Sequence, residues 1–349
     1  MRLRHSMPFG AQLQDDGDVR FRLWAPAARQ VDLYLEDEAA HRFLPMAALP
    51  APDAGWFALT TPQAAGGSRY RFRIDGGQLV PDPASRWQPR DVHGASEVID
   101  ALAWDWDDGG WHGRPWHEAV FYELHVGAFT PDGTFAGVGA RLDHLAALGV
   151  TAIELMPVAD FPGARNWGYD GVLPFAPDGR YGRPDALKQL VAAAHARGLM
   201  MFIDVVYNHF GPDGNYLHLY APQFFTDRHH TPWGNAINFD GQQSRTVRGF
   251  FIHNALYWLE EYRFDGLRLD AVHAIVDESE PDILTELSAA VRDGPGRERQ
   301  IHLVLENDAN EARYVARDDH GSPCAYSAQW NDDVHHALHV IATGEHGGY

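Results

Sequence analysis

Cysteine is almost missing from the sequence: Cys324 stands alone among 349 residues. That excludes an internal disulfide framework and any all-cysteine metal site, and it fits a reducing compartment. No apolar run approaches the roughly 18 residues needed to span a bilayer. The opening Met-Arg-Leu-Arg-His is not followed by the apolar stretch of a secretory signal. A soluble, cytoplasmic protein is therefore expected, with no membrane partner. Positive charge is short as well. Lys and Arg number 28 against 48 Asp and Glu, a net charge of −20, and no basic patch stands out, so nucleic acid is excluded as a natural partner. A neutral substrate suits such a surface. Aromatic residues, by contrast, are plentiful. Eleven Trp and 13 Tyr offer flat faces on which sugar rings can pack, although any one ring serves equally well in a core.

The length predicts about two domains. Residues 1–99 have strand character, with apolar alternation in Val19–Trp24, Val31–Leu35 and Tyr70–Ile74 and turn punctuation at Pro50–Gly55 and Asp75–Gly77. They read as a small immunoglobulin-like β-sandwich. Residues 100–115, rich in Trp, Asp and Gly, read as a linker. From 116 to 349 the pattern alternates strand and helix. Strands are expected at Val120–His125, Thr151–Val158, Met200–Val206, Asp265–Asp270 and Ile301–Leu305, with a short sixth at Ala328–Trp330. Helices are expected with Leu142, Leu145 and Leu148 on one face, then from Pro184 to about Gly198. A third should follow Ser244, with Val247, Phe251, Ala255, Trp258, Leu259 and Tyr262 on one stripe, and a fourth should start at Pro281. Serial strand–helix units with doubly buried strands make an α/β fold with a parallel sheet, here a (β/α)₈ barrel. Only six strands are counted where a closed barrel needs eight. The barrel is expected to be incomplete at Gly347-Gly-Tyr349, with unpartnered apolar side chains along a gap between its first and sixth strands.

Barrel enzymes carry their chemistry at the C-terminal ends of the strands. Those ends supply His125, Asn208, His209, Arg268, Asp270 and Glu306. Arg268 and Asp270 are two apart on one strand and point the same way. A guanidinium beside a carboxylate favours its ionised form, which suits a nucleophile or an electrostatic stabiliser. Glu306, at the end of an apolar strand, suits a general acid. Carboxylates from neighbouring strands can approach the roughly 5–5.5 Å spacing of a retaining glycosidase. A buried Arg268–Asp270 ion pair with Glu306 as a loop residue accounts for the same pattern.

Longer motifs separate these readings. Asp204–His209, Gly266–His273 and Val304–Asp308 resemble, in order, three signature regions of the α-amylase superfamily, glycoside hydrolase family 13. Tyr122–Gly127, Asn166–Asp170, His209–Asn215 and Gln329–Asp333 are more specific. With them, the chain from about Phe21 to Tyr349 resembles the malto-oligosyltrehalose trehalohydrolases within that family. The resemblance implies Asp270 as nucleophile, Glu306 as acid/base and Arg268 as the arginine orienting the nucleophile. It implies substrate contacts from Tyr169, an aromatic platform, and from His209, His125, His273 and Asp333, with Asp204 bracing the site. Asn208 matches a calcium ligand of many amylases, but this branch is not calcium-dependent, so neither metal nor cofactor is expected. The implied partner is a malto-oligosyltrehalose or α-1,4-glucan. The implied reaction is hydrolysis beside the terminal trehalose; a glucan-branching transferase and an inactive fragment of the hydrolase are the alternatives.

One departure matters. The superfamily uses a third carboxylate, an Asp after a His on the seventh strand, and no such motif follows Glu306. Asp318-Asp319-His320 has the wrong order, and Asp332-Asp333 follows the sixth strand. That group, the last two strands and a C-terminal sheet are expected beyond residue 349. His335 and His339 have zinc-ligand spacing without the intervening Glu, and His229-His230 reads as a loop.

Overall fold

The computed structural model describes residues 1–36, 42–107 and 110–347. Expectations that touch 37–41 in the sandwich, 108–109 in the linker and 348–349 at the end of the chain lie outside the described residues. At the N-terminal end, two antiparallel sheets face one another. One orders Gly10–Leu13, Val19–Trp24, Trp56–Thr61 and Ala47–Ala48; the other orders Arg42–Pro45, Val31–Glu36, Arg69–Ile74 and Leu79–Val80. Alternation explains the packing. Val19, Phe21 and Leu23 point inward from the first sheet and Tyr70, Phe72 and Ile74 from the second, all buried. Val31–Glu36 departs from simple alternation, because Asp32 is buried too, under a two-nitrogen clasp from Arg73 at 3.0 and 2.7 Å.

The second half is a curled parallel sheet, an incomplete (β/α)₈ barrel. Its strands lie side by side in chain order: β1 (Phe121–Leu124), β2 (Ala152–Leu155), β3 (Met200–Val205), β4 (Gly266–Leu269), β5 (His302–Glu306) and β6 (Ala328–Trp330). Helices α1 (Leu142–Leu148), α2 (Pro184–His195), α3 (Ser244–Glu260) and α4 (Ile283–Asp293) connect them, and α5 (Asp332–Thr343) follows β6. The outward residues of the strands, among them Ile153, Leu155, Met201, Ile203, Leu267, Leu269, Leu303 and Leu305, join the helices in one continuous core. Two helix boundaries differ from the sequence reading. Tyr262 is buried but lies past the end of α3. Pro281 precedes α4, whose cap is Asp282, accepting from the Thr285 N–H at 2.7 Å.

The expected unpartnered apolar side chains lie on α5, which buries no residue and leaves Val334 57%, Leu338 62% and Ile341 80% exposed, while the edge strands themselves meet through one ring pair. The sheet curls far enough for Phe121 of β1 to meet Trp330 of β6 edge-on, with ring centroids 5.2 Å apart. Sandwich and barrel also share a core: Phe9 packs on Phe250 at 5.2 Å and Trp24 on Phe224 at 5.4 Å. His5 extends this contact, reaching Glu260 at 2.6 Å and His253 at 3.0 Å. Beneath it Lys188, the one lysine in the sequence, is buried against Glu261 at 3.5 Å.

Candidate active site

Strand register builds the site. Asp204 of β3 is level with Arg268 of β4, and one step further along β5 Glu306 is level with Trp330 of β6. Arg268 and Asp270 are two apart, so the inner face carries Asp204, Arg268, Asp270 and Glu306 together. Arg268 is the hub. Its Nη1 donates to Asp204 Oδ2 at 2.7 Å and to Asp270 Oδ1 at 2.8 Å, and its Nη2 lies 3.0 Å from Glu306 Oε2. Burial opposes the arginine's charge, but Asp204, Glu306 and Asp270 outweigh it and hold the guanidinium above its ordinary value. Arg268 is a fixed cation at any working pH.

Burial pushes the Asp204 carboxyl well above the usual range; Arg268 opposes this and the Asp270 charge adds to it. Tyr169 donates its hydroxyl to Asp204 Oδ2 at 3.0 Å. Asp204 therefore braces arginine and tyrosine at once. Tyr169 reaches this position because Gly168 precedes it at φ +102°, where a Cβ would sit 2.0 Å from the Pro157 carbonyl oxygen.

Asn208 and His209 follow β3. Asn208 Nδ2 donates to the Asp270 backbone carbonyl at 2.8 Å and to Asp270 Oδ2 at 3.0 Å. With its nitrogen committed there, Asn208 turns Oδ1 toward His209 Nδ1, which donates to it in a short hydrogen bond. Burial lowers the His209 pKa, against the pull of Asp270, and favours the neutral ring. The imidazole stacks flat on Trp233, with centroids 4.3 Å apart and planes 3° from parallel.

The structure thus brings Asp204, Arg268, Asp270, Glu306, Tyr169 and His209 into one bonded cluster. His125, His273 and Asp333 make their contacts elsewhere. His125 Nε2 pairs with the Asn166 carbonyl at 2.7 Å and lines a cavity of about 660 Å³ with Met156, Trp167 and Tyr181. His273 faces Asp308 at 3.3 Å. Asp333 is exposed and accepts from Asn310 at 2.7 Å. His229-His230, expected in a loop, lies instead on an antiparallel hairpin, Phe225–Thr231 with Gly234–Ile237, whose turn carries Trp233.

Sequence reasoning passed over two residues. Trp233 carried no periodic signal. Glu154, in the middle of doubly buried β2, is the one acidic residue of its strand and could have been noticed for that. It is 1% exposed, and its carboxyl is pushed up to about 7 by burial, with Arg268 pulling it down and Glu123 pushing it further up.

Two clusters among the described residues gather three metal-capable side chains: Asp332, His335 and His336, and His229, Asp240 and Glu278. Arg228 already occupies the second, lying 3.2 Å from Asp240 and 3.0 Å from Glu278. The Arg268 cluster itself gathers three carboxylates around one cation, of which Asp270 and Glu306 can be oriented for acid-assisted nucleophilic displacement at an acetal carbon.

Comparison with known proteins finds relatives for both halves of the chain. Residues 94–230 match the family model of the α-amylase catalytic domain, and residues 8–89 match carbohydrate-binding module 48, the isoamylase N-terminal domain. A malto-oligosyltrehalose trehalohydrolase from Saccharolobus solfataricus is 43% identical over 345 residues, covering 98% of this chain and 58% of its own. One from Arthrobacter ramosus is 46% identical over 334 residues, covering 95% and 57%. The 1.4 Å crystal structure of an α-amylase-type protein from Salmonella typhimurium superposes with a TM-score of 0.93 at 45% identity, covering 99% of this chain and 57% of that one. The chain thus spans a little over half the length of these relatives. Part of the chain matches the α-amylase catalytic domain, and nearly its whole length is similar to the malto-oligosyltrehalose trehalohydrolases.

Proposed function

We propose that this protein is a retaining glycoside hydrolase that cuts the α-1,4 bond next to the terminal trehalose of malto-oligosyltrehalose, releasing trehalose. The observation that carries the reading is the single guanidinium of Arg268 shared by Asp270 and Glu306. The names of the relatives supply the substrate. Asp270 attacks the anomeric carbon. The C1–O bond breaks with its electron pair passing to the trehalose oxygen, which takes the Glu306 proton. Water then bonds C1 and returns a proton to Glu306, and Asp270 leaves as a carboxylate. Arg268 orients the nucleophile. Tyr169 and His209 flank the sugar at the scissile bond, Asp204 braces them, and His125, His273 and Asp333 serve more distant parts of the glucan. The proposed division of labour gives residues 1–99 to the sandwich, 100–115 to the join and 116–349 to catalysis.

The test is trehalose release from malto-oligosyltrehalose by the purified chain, with Asp270→Asn as control. Release that disappears in the control supports the assignment. A folded chain that releases none, or a variant that releases as much, overturns it for this chain.

A further inference from the structure

From the backbone between the two carboxylates we infer that Ala271 is a positioning residue, whose N–H holds Glu306 Oε2 and leaves Oε1 as the oxygen that carries the transferred proton. The inference rests on the reading of Glu306 as acid/base. Ala271 directly follows Asp270 and takes a left-handed conformation, φ 42° and ψ 49°. A residue with a Cβ pays for that geometry and keeps it only where its surroundings impose it. Here they do. The peptide joining Asp270 to Ala271 is held at both ends. Its carbonyl accepts from Asn208 Nδ2 at 2.8 Å, and its N–H donates to Glu306 Oε2 at 2.8 Å. The Asp270 N–H, one peptide earlier, is fixed to the Val205 carbonyl at 3.0 Å. The plane cannot turn without breaking a contact to β3 or to Glu306.

The consequence is chemical. Oε2 receives two donors, the Ala271 N–H and Arg268 Nη2. An oxygen already accepting from an amide and a guanidinium is a poor place for a proton, since O–H would face N–H. Among the described residues Oε1 has no such donor. The proton of the acid form is thereby directed to Oε1, where it can pass to the leaving oxygen, and water returns it to the same atom. One backbone group, next to the nucleophile in sequence, sets which oxygen of the acid works.

The test needs a reaction that dispenses with the proton. Fluoride leaves an anomeric carbon without being protonated, whereas the trehalose oxygen does not. In Ala271→Val the β-branched side chain disfavours the left-handed backbone, so the N–H should turn off Glu306. The expected result is a kcat on malto-oligosyltrehalose lower by about tenfold with KM nearly unchanged, a first-turnover release of fluoride from α-maltotriosyl fluoride, the step before Glu306 is needed as base, within about twofold of the parent, and a restored kcat in Ala271→Gly, which accepts the same backbone. Equal loss on the two substrates overturns the inference, as does no loss in a folded variant. A second arm requires neither turnover nor the valine variant. The amide proton of Ala271 in the parent chain should move upfield in Glu306→Gln, because a charged acceptor is lost; an unmoved amide overturns the inference. If the parent releases no trehalose, the proposed function fails on its own, and the amide still decides the contact.

Discussion

Arg268 Nη1 lies 2.8 Å from Asp270 Oδ1, two residues along the same strand, and both residues are more than 90% buried. The same nitrogen also holds Asp204 Oδ2 at 2.7 Å. With Glu306 as the third partner, a buried cation shared by three carboxylates is poor evidence of stability but strong evidence of dependence. Taking the arginine away leaves charges with no partner, and that costs more than the pair contributes. Arg268→Ala should lower unfolding stability by roughly 3–5 kcal/mol, measured by urea titration at neutral pH. A loss below about 1 kcal/mol would show that solvent replaces the guanidinium.

Glu154 gives the site a pH signature of its own. Its folded-state pKa, about 7, is raised by burial above the ordinary carboxylate value. A raised carboxyl makes its full contribution to stability below the unfolded value and loses it as pH climbs through the folded one. From pH 4.5 to 7 the folded chain should therefore weaken by roughly 3 kcal/mol on account of this group. Glu154→Gln removes the ionisation. Melting curves of variant and parent should converge at pH 4 and separate above pH 6, with the variant more stable. A constant offset at every pH would assign the effect to packing alone.

The contact between sandwich and barrel titrates in the opposite sense. His253, against His5 at the contact, is pushed down to about 4 by burial, with the neighbouring His5 adding to it and Glu260 opposing. The unfolded chain takes up this proton near pH 6.5 and the folded chain only near 4. Its share of stability is complete above pH 6.5 and declines as pH falls to 4. His253→Gln should flatten that part of the stability profile. Hydrogen exchange of the Val19–Trp24 strand, followed from pH 7 to 4.5, should show the parent loosening before the variant. Identical profiles would remove His253 as the cause.

Much of this could be read from the sequence, and the parts that could not share a reason. Arg268 and Asp270 were legible because strand alternation alone puts them on one face. Glu306 was legible because it ends a run of buried residues, and the six barrel strands appear near their expected positions. The curl that brings Phe121 onto Trp330 was hidden, since it depends on accumulated twist across six strands. So was the Trp233 hairpin, in which His230 and Asn235 pair across a register shift instead of following clean alternation. Asn208 was visible at a strand end, but its two hydrogen bonds to Asp270 join residues 62 apart. The left-handed Ala271 was illegible for a plainer reason: alanine gives no sign of positive φ, and only the contacts at both ends of its peptide impose it.

The central claim is that Asp270 becomes covalently bonded to the sugar while Glu306 moves the proton. The most direct measurement is mass spectrometry of the Glu306→Gln variant after brief reaction with α-maltotriosyl fluoride. Fluoride leaves unaided, and the variant has no base to activate water, so the glycosyl-enzyme should accumulate. The account predicts one added maltotriosyl group per chain, located by peptide digestion on Asp270 and absent when Asp270→Asn is combined with the same variant. A label on any other residue, or fluoride release with no label in the folded variant, would contradict it.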